Sequence, residues 1–520
     1  MGGFAIRFYA IAMRTIINPD GAQYLYQASA IYNHHWSNLF SCKLNYISPL
    51  PIFIASSFAV FKDWIIAGQA VSLLFGTATL LPLYHLVRRF TNPSVCVLTL
   101  LIYALIPVFV DVSGDILKGP LFWFFSVLGM LTFVRQFDED AKKNRIRADL
   151  VLSCFFFIVA AWCRIEGVMY LVVSPVYLLI SPNHKRIERY LIFTAPLVVF
   201  GLLIVIPAFL SNEMLNFIRM EKVFNEITSF ASKYDSLKLQ IKGAYAIEKG
   251  IYGEFLHRAR EVLFLIPLLS IAQNLIEGLF YPFSLIYFIG FIGLRQRCRK
   301  DPRVGYFLLM SLAAFFLLYI HMVKSWIITH RFMAILFYSG FIIMANGIET
   351  VIYTLMRWRR WRFKKAVLIL AVFLLLASLP KNLKPTESDK AVYLKVASII
   401  ADQKQPGQPA PLYTTWSDRA FEWVLLYSHR QSTELRCSKS LTIKIPKTYE
   451  AFKRLLDRVD AGYFFYESRK WPQKRFDLLA SPFERDFRRL GQWHHPDSGE
   501  LILFKRKCHP ADSENGATTN

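Results

Sequence analysis

Long apolar runs joined by short basic clusters dominate this chain, and most of them approach the length that crosses a bilayer. Runs at 64–88, 93–110, 117–135, 190–210, 275–294, 304–322, 330–352 and 365–380 reach or nearly reach the roughly 20 residues that span about 30 Å of hydrocarbon. A chain of 520 residues would otherwise build several soluble domains, but 54% hydrophobic and 16% aromatic residues make lipid its main solvent.

The formal charge of +24 sits mostly between the apolar runs. Arg357, Arg359, Arg360, Arg362, Lys364 and Lys365 join two of them, and Arg295, Arg297, Arg299 and Lys300, like Lys185, Arg186 and Arg189, do the same. This is the positive-inside pattern of cytoplasmic loops, and it excludes nucleic acid as the expected partner. Shorter apolar pieces at 150–163 and 166–181 are split by Arg164 and Glu166. If these are two helices meeting near one membrane face, every basic loop falls on the cytoplasmic side. The opening stretch Gly2 to Ile17 carries Arg7 and Arg14 and has no small-residue cleavage site, so it reads as a short first membrane helix rather than a signal peptide. The expectation is a polytopic α-helical membrane protein of about eleven membrane helices, N-terminus inside and C-terminus outside.

This threading divides the chain into a membrane part over 1–384, with external loops at 18–63 and 211–260, and a small soluble α/β domain over 385–508. Residues 111–116 and 321–330 are also placed outside. The first loop reads as short amphipathic helices lying in the interface, and the second as another surface-lying segment. In the C-terminal domain, helix-like stretches at 391–402, 418–429 and 447–459 alternate with strand-like runs at 411–415, 461–466 and 500–505. Asp497-Ser498-Gly499 forms the turn before the last strand. The tail 509–520 is expected to be disordered.

Seven cysteines show no CxxC or Cys/His ligand spacing, so neither a zinc site nor a disulfide framework is indicated. Cys437 and Cys508 both fall in the exported domain, where a bridge is chemically permitted. His34 and His35 are adjacent without a third ligand, so no metal or other cofactor is expected.

Ionisable groups near hydrocarbon are costly, and Asp20, Asp111, Asp115, Arg164, Glu166, His321, Lys324, His330 and Arg331 are all expected at the outer face. Carboxylates and cations on one face suit a reaction in which a base removes a proton while cations hold an anionic leaving group.

The stretch Asn18-Pro19-Asp20-Gly21-Ala22-Gln23-Tyr24, with Tyr46-Ile47-Ser48-Pro49-Leu50 behind it, resembles the first external loop of the glycosyltransferase C superfamily. Within it, the bacterial enzymes similar to protein O-mannosyltransferases and lipid A aminoarabinose transferases look nearest. Val71 to Gly76 leading to Leu83-Tyr84 and Arg88-Arg89, then Ser113 to Leu117 with Pro120-Leu121, then Arg164-Ile165-Glu166-Gly167, then Arg331-Phe332 follow in the same order. The resemblance covers about residues 1–380. It implies a membrane enzyme that takes a polyprenyl-phosphate sugar as donor and passes the sugar to a lipid, glycan or protein acceptor outside the cytoplasm, with inversion, in a bacterial inner membrane.

Carried onto this chain, the resemblance assigns Asp20 as general base and Asp115 as a helper in positioning acceptor or sugar. Arg331 becomes a ligand of the donor phosphate, with Lys324, His330 and Tyr24 among the substrate-binding residues. Arg164 and Glu166 match a paired motif, which reads equally as a structural ion pair locking two half-helices. Where relatives carry Asp-Glu, this chain has Asp20-Gly21. The rival reading is a transporter or lipid flippase; such proteins often repeat their broken helices, and the sequence shows one broken region without a second copy.

Overall fold

The computed structural model describes residues 2–40, 46–138, 142–181, 185–210, 220–248, 250–402, 412–415, 418–430, 432–435, 445–458, 461–472 and 475–507. It divides into two compact units: Met1–Ala12, Ser48–Leu50 and Gln69–Lys384 form the first, and Met13–Ile47, Pro51–Gly68 and Pro385–Asn520 the second.

The first unit is helical, and helices occupy each apolar stretch read from the sequence. Among the described residues, Trp64–Val87, Lys143–Cys163, Pro302–Ser325 and Phe363–Asn382 are each long and apolar enough to cross a membrane alone. Three further spans arise only if bent pairs are joined: Pro93–Leu105 with Pro107–Ser113 at 58°, Ile251–Glu261 with Leu265–Leu279 at 81°, and His330–Ser339 with Phe341–Arg359 at 73°. The single broken region expected from the sequence is therefore one of several. Hydropathy misses the bends after Leu105 and Ser339 because they change direction without interrupting the apolar run, whereas the helix Ile251–Glu261 is too polar to read as part of a span.

The first of these bends has a local cause. Pro107 opens the second helix, and Ile106 before it takes an extended backbone (φ −56°, ψ 118°), as a residue preceding proline tends to do. Proline has no N–H, so the last carbonyls of Pro93–Leu105 lose their helical partners. Arg7 replaces them: its guanidinium donates to Ala104 O at 3.1 Å, Tyr103 O at 3.4 Å and Ser113 Oγ at 3.3 Å. Asn382 donates to Leu105 O at 2.9 Å. An arginine inside the Gly2–Ala12 helix, odd for a membrane segment, is thus buried to 1% exposure, with its donors shared among two carbonyls at the helix break, the Ser113 hydroxyl and Gly3 O of its own helix.

Glycine sets another close approach. A Cβ on Gly347, in Phe341–Arg359, would overlap the carbonyl oxygen of Ile286, and one on Gly290 would overlap that of Ile343. These two backbones pack at a distance that larger residues forbid, the usual device of helix contacts in lipid.

The second unit holds a four-stranded sheet with β1 Leu412–Thr415, β2 Ala461–Glu467, β3 Phe487–His495 and β4 Gly499–Arg506 in the order β1-β2-β4-β3. β1 and β2 run parallel, and the other pairs are antiparallel. Helices Ala391–Asp402, Asp418–Ser428 and Tyr449–Arg458 lie within two residues of the expected stretches. β3 is the strand the sequence reading missed. Its residues Phe-Arg-Arg-Leu-Gly-Gln-Trp-His-His are mostly polar, a bulge interrupts its register between Arg489 and Gly491, and it pairs on one side only. Cations and a bulge on an edge strand are what hide it from hydropathy. Gly499, at φ +74°, closes the hairpin turn read at Asp497-Ser498-Gly499.

This unit also contains Pro19–Tyr32 and, from Pro51 onward, Pro49–Phe61, the helices expected in the first loop. They are not a detached surface layer. Gln23 donates to Glu422 at 3.1 Å, Ser29 Oγ accepts from Leu435 N at 2.8 Å, and Trp64 Nε1 donates to Ser432 O at 3.2 Å. Of the second loop, Met220–Ile247 and Ile251–Glu261 are helical, whereas 211–219 lie outside the described residues. So do the tail from residue 508 and both cysteines of the suggested bridge, Cys437 and Cys508.

Candidate active site

In the first unit, the break between Lys143–Cys163 and Val168–Ile180 is built by the Arg164-Ile165-Glu166-Gly167 run. Arg164 leaves the helix in an extended conformation, and Ile165–Gly167 make one 3₁₀ turn. The turn folds back so closely that a Cβ on Gly167 would lie 2.5 Å from the Ala161 nitrogen. Arg164 then reaches both oxygens of Glu166, Nη2 to Oε1 at 2.5 Å and Nε to Oε2 at 3.3 Å. Both side chains are mostly buried, at 13% and 15% exposure. A bidentate pair two residues apart across a helix break fits a structural lock and a charge acting on the substrate alike.

A second turn, His330–Met333, packs against Pro107–Ser113 and Leu265–Leu279. It carries Phe332, whose ring stacks on His321 at 4.9 Å and lies 4.8 Å from the Arg164 Cζ and 5.8 Å from the Arg331 Cζ. Arg164, His321 and Arg331 thus meet around one aromatic ring, and Glu166 joins them only through Arg164. His330 Nε2 lies 3.5 Å from Glu277 Oε2, and Gln273 holds the other oxygen of Glu277 at 2.9 Å. Lys324 ends the Pro302–Ser325 helix in its last turn.

Asp115 follows the Pro107–Ser113 helix, is 3% exposed, and accepts from the Ile116 N–H at 2.8 Å. Asp111, by contrast, is exposed. Asp20 and Tyr24 belong to the second unit. Asn18 caps Pro19–Tyr32 by accepting from the Asp20 N–H at 3.0 Å, which sets Asp20 in the first turn, where the helix dipole favours an anion. Tyr24, one turn further on, is buried.

Two residues near this cluster escaped the sequence reading. Lys118, just before Gly119–Arg135, lies within electrostatic reach of Glu166. Glu277 is the only ionisable residue of Leu265–Leu279, and a lone carboxylate in an apolar helix was a usable signal. Among the described residues, no group of three or more His, Cys, Asp or Glu is placed to hold a metal. His35 instead faces Glu434 at 3.0 Å.

Over 96% of each chain the backbone superposes on ArnT from Cupriavidus metallidurans bound to undecaprenyl phosphate, with a TM-score of 0.63 at 14% identity. The oligosaccharyltransferase of Archaeoglobus fulgidus, in its apo form, matches with a TM-score of 0.58 at 12% identity, over 89% of this chain and 69% of that one. This is the glycosyltransferase C fold. By sequence, residues 49–210 match the family described as dolichyl-phosphate-mannose-protein mannosyltransferase. No curated protein matches the chain by sequence. Fold and family segment together support a membrane glycosyltransferase with a lipid-linked donor, and they do not favour the transporter reading.

Proposed function

We propose that the chain moves a sugar from a polyprenyl-phosphate donor to the hydroxyl of a lipid, glycan or protein acceptor at the outer face of a bacterial inner membrane. In this reading the C-terminal α/β domain is extracytoplasmic. The acceptor oxygen attacks the anomeric carbon from the side opposite the phosphate, a new C–O bond forms as the old one breaks, and polyprenyl phosphate leaves. Asp20 takes the acceptor's proton, because a hydroxyl becomes a competent nucleophile only as it loses that proton. The leaving phosphate gains charge as the bond breaks, so cations held ready for it favour the transition state over the ground state. Arg331 is the ligand we assign to that phosphate, with Lys324 and His330 beside it in sequence. Asp115 helps position acceptor or sugar.

The observation that carries this reading is the gathering of Arg164, Arg331 and His321 about Phe332 in a fold shared with a structure bound to undecaprenyl phosphate. Sugar transfer from a panel of radiolabelled polyprenyl-phosphate sugars, in membranes carrying matched amounts of the wild-type chain or Asp20→Asn, tests it. Transfer by the wild type that disappears in Asp20→Asn supports the assignment. Equal transfer in both removes Asp20 from the mechanism, and no transfer from any donor overturns the reaction.

A further inference from the structure

The ring of Phe332 is shared by side chains from three separate segments: His321 from the end of Pro302–Ser325, Arg164 from the break after Lys143–Cys163, and Arg331 from its own turn. Arg164 is fixed, since Glu166 binds its edge through both carboxylate oxygens and the ring of Phe122 lies 5.8 Å from its Cζ. A guanidinium bound along its edge by a carboxylate leaves its faces free for aromatic rings, whose negative potential attracts the cation. Arg331 sits on a four-residue 3₁₀ turn, His330–Met333, next to the ring in sequence.

We propose that Phe332 is a positioning residue, which anchors the His330–Met333 turn to the fixed Arg164 and to His321 and thereby aims Arg331 at the donor phosphate. The inference rests on the reading of Arg331 as a phosphate ligand given above. An arginine already held near its bound geometry loses less conformational freedom when the phosphate arrives, so the ring contributes to phosphate affinity without touching the lipid. Loss of the ring should then weaken recognition of the phosphate and leave recognition of the polyprenyl chain intact. A residue that merely fills space would weaken both.

The test titrates the purified full chain in detergent with undecaprenyl phosphate and, separately, with undecaprenol, which lacks the phosphate. Wild type is compared with Phe332→Leu, Phe332→Tyr and Arg331→Gln, each first shown to be monodisperse. Phe332→Leu keeps apolar volume but removes the π face, and should lose about tenfold in affinity for undecaprenyl phosphate while its affinity for undecaprenol changes by less than about twofold. Phe332→Tyr should restore the phosphate preference. Equal losses for the two lipids, or a tyrosine variant as weak as the leucine one, would overturn the inference. If Arg331→Gln loses the phosphate preference and Phe332→Leu keeps it, only the role of the ring fails. If Arg331→Gln keeps that preference, the phosphate reading of Arg331 fails first and the inference goes with it.

Discussion

Trp423 donates its indole N–H to the carbonyl oxygen of Ile17 at 2.8 Å, joining residues 406 positions apart. One helical turn later on the same helix, the hydroxyl of Tyr427 accepts the Ile17 N–H at 3.0 Å. The Ile17 residue is therefore gripped on both its polar atoms by side chains four residues apart in Asp418–Ser428. Ile17 itself is 1% exposed, so neither of those atoms has ready access to water in exchange.

Tyr427→Phe removes the hydroxyl that accepts the Ile17 N–H. It should leave a buried N–H unsatisfied, at a cost of about 1–2 kcal/mol to the second unit. Limited proteolysis of the purified chain reads this as faster cleavage within 13–47 and within the C-terminal domain together. Cleavage that accelerates in one of the two alone would mean that they do not form one cooperative body.

The same contact shows where reading the sequence stops. Apolar period and basic loops made the membrane helices legible, and alternation with turn residues made three of the four strands legible, because both are local patterns. Nothing local in Ile17 or Trp423 announces that the first loop and the C-terminal domain build one core. The cluster at the site was half legible. Arg164, Glu166, His321 and Arg331 stood out as ionisable groups beside apolar runs, whereas Phe332, whose ring lies against three of them, entered only as the neighbour of Arg331 in a motif and is one phenylalanine among 45. Its role depends on how helix breaks place the His330–Met333 turn, and bends leave no mark in hydropathy.

Arg7 offers a test of the break at Pro107. Arg7→Met keeps a long apolar stem of similar reach and removes the donors to Tyr103 O, Ala104 O and Ser113 Oγ. If those carbonyls need the guanidinium, the variant should lose about 2 kcal/mol or more of stability, measured as a lowered thermal unfolding midpoint in detergent. The paired substitution Arg7→Met with Pro107→Ala should recover part of the loss, since alanine restores an N–H at the break. A single variant as stable as wild type would show that the buried arginine is idle.

Gly347→Ala tests the close helix approach in the same unit. The added methyl meets the Ile286 carbonyl, which is backbone and cannot swing away, so Phe341–Arg359 must shift outward. Overpacking of this kind costs about 1–3 kcal/mol. Gly293→Ala is the internal comparison for crowding, because a Cβ there meets no atom within 4 Å. Its own penalty comes only from the φ of +72°. Thermal unfolding should rank Gly347→Ala as the more damaging of the two, and the reverse order would show that the helices separate at little cost.

The Arg164–Glu166 pair separates a structural lock from a catalytic charge. Both side chains are mostly shielded from water, so removing one leaves the other as an uncompensated charge. Arg164→Met and Glu166→Met should each cost about 2–4 kcal/mol. The double variant removes both charges and both desolvation penalties, so it should be more stable than either single variant, with a coupling of about 1–3 kcal/mol in a double-mutant cycle of unfolding midpoints. Transfer activity in the same four proteins then decides the role. If the pair is only a lock, the double variant regains activity in step with its stability. A double variant that regains stability but stays inactive would mean that one of the two charges acts on the substrate, and Arg164, which shares the Phe332 ring with Arg331, would be the first to examine.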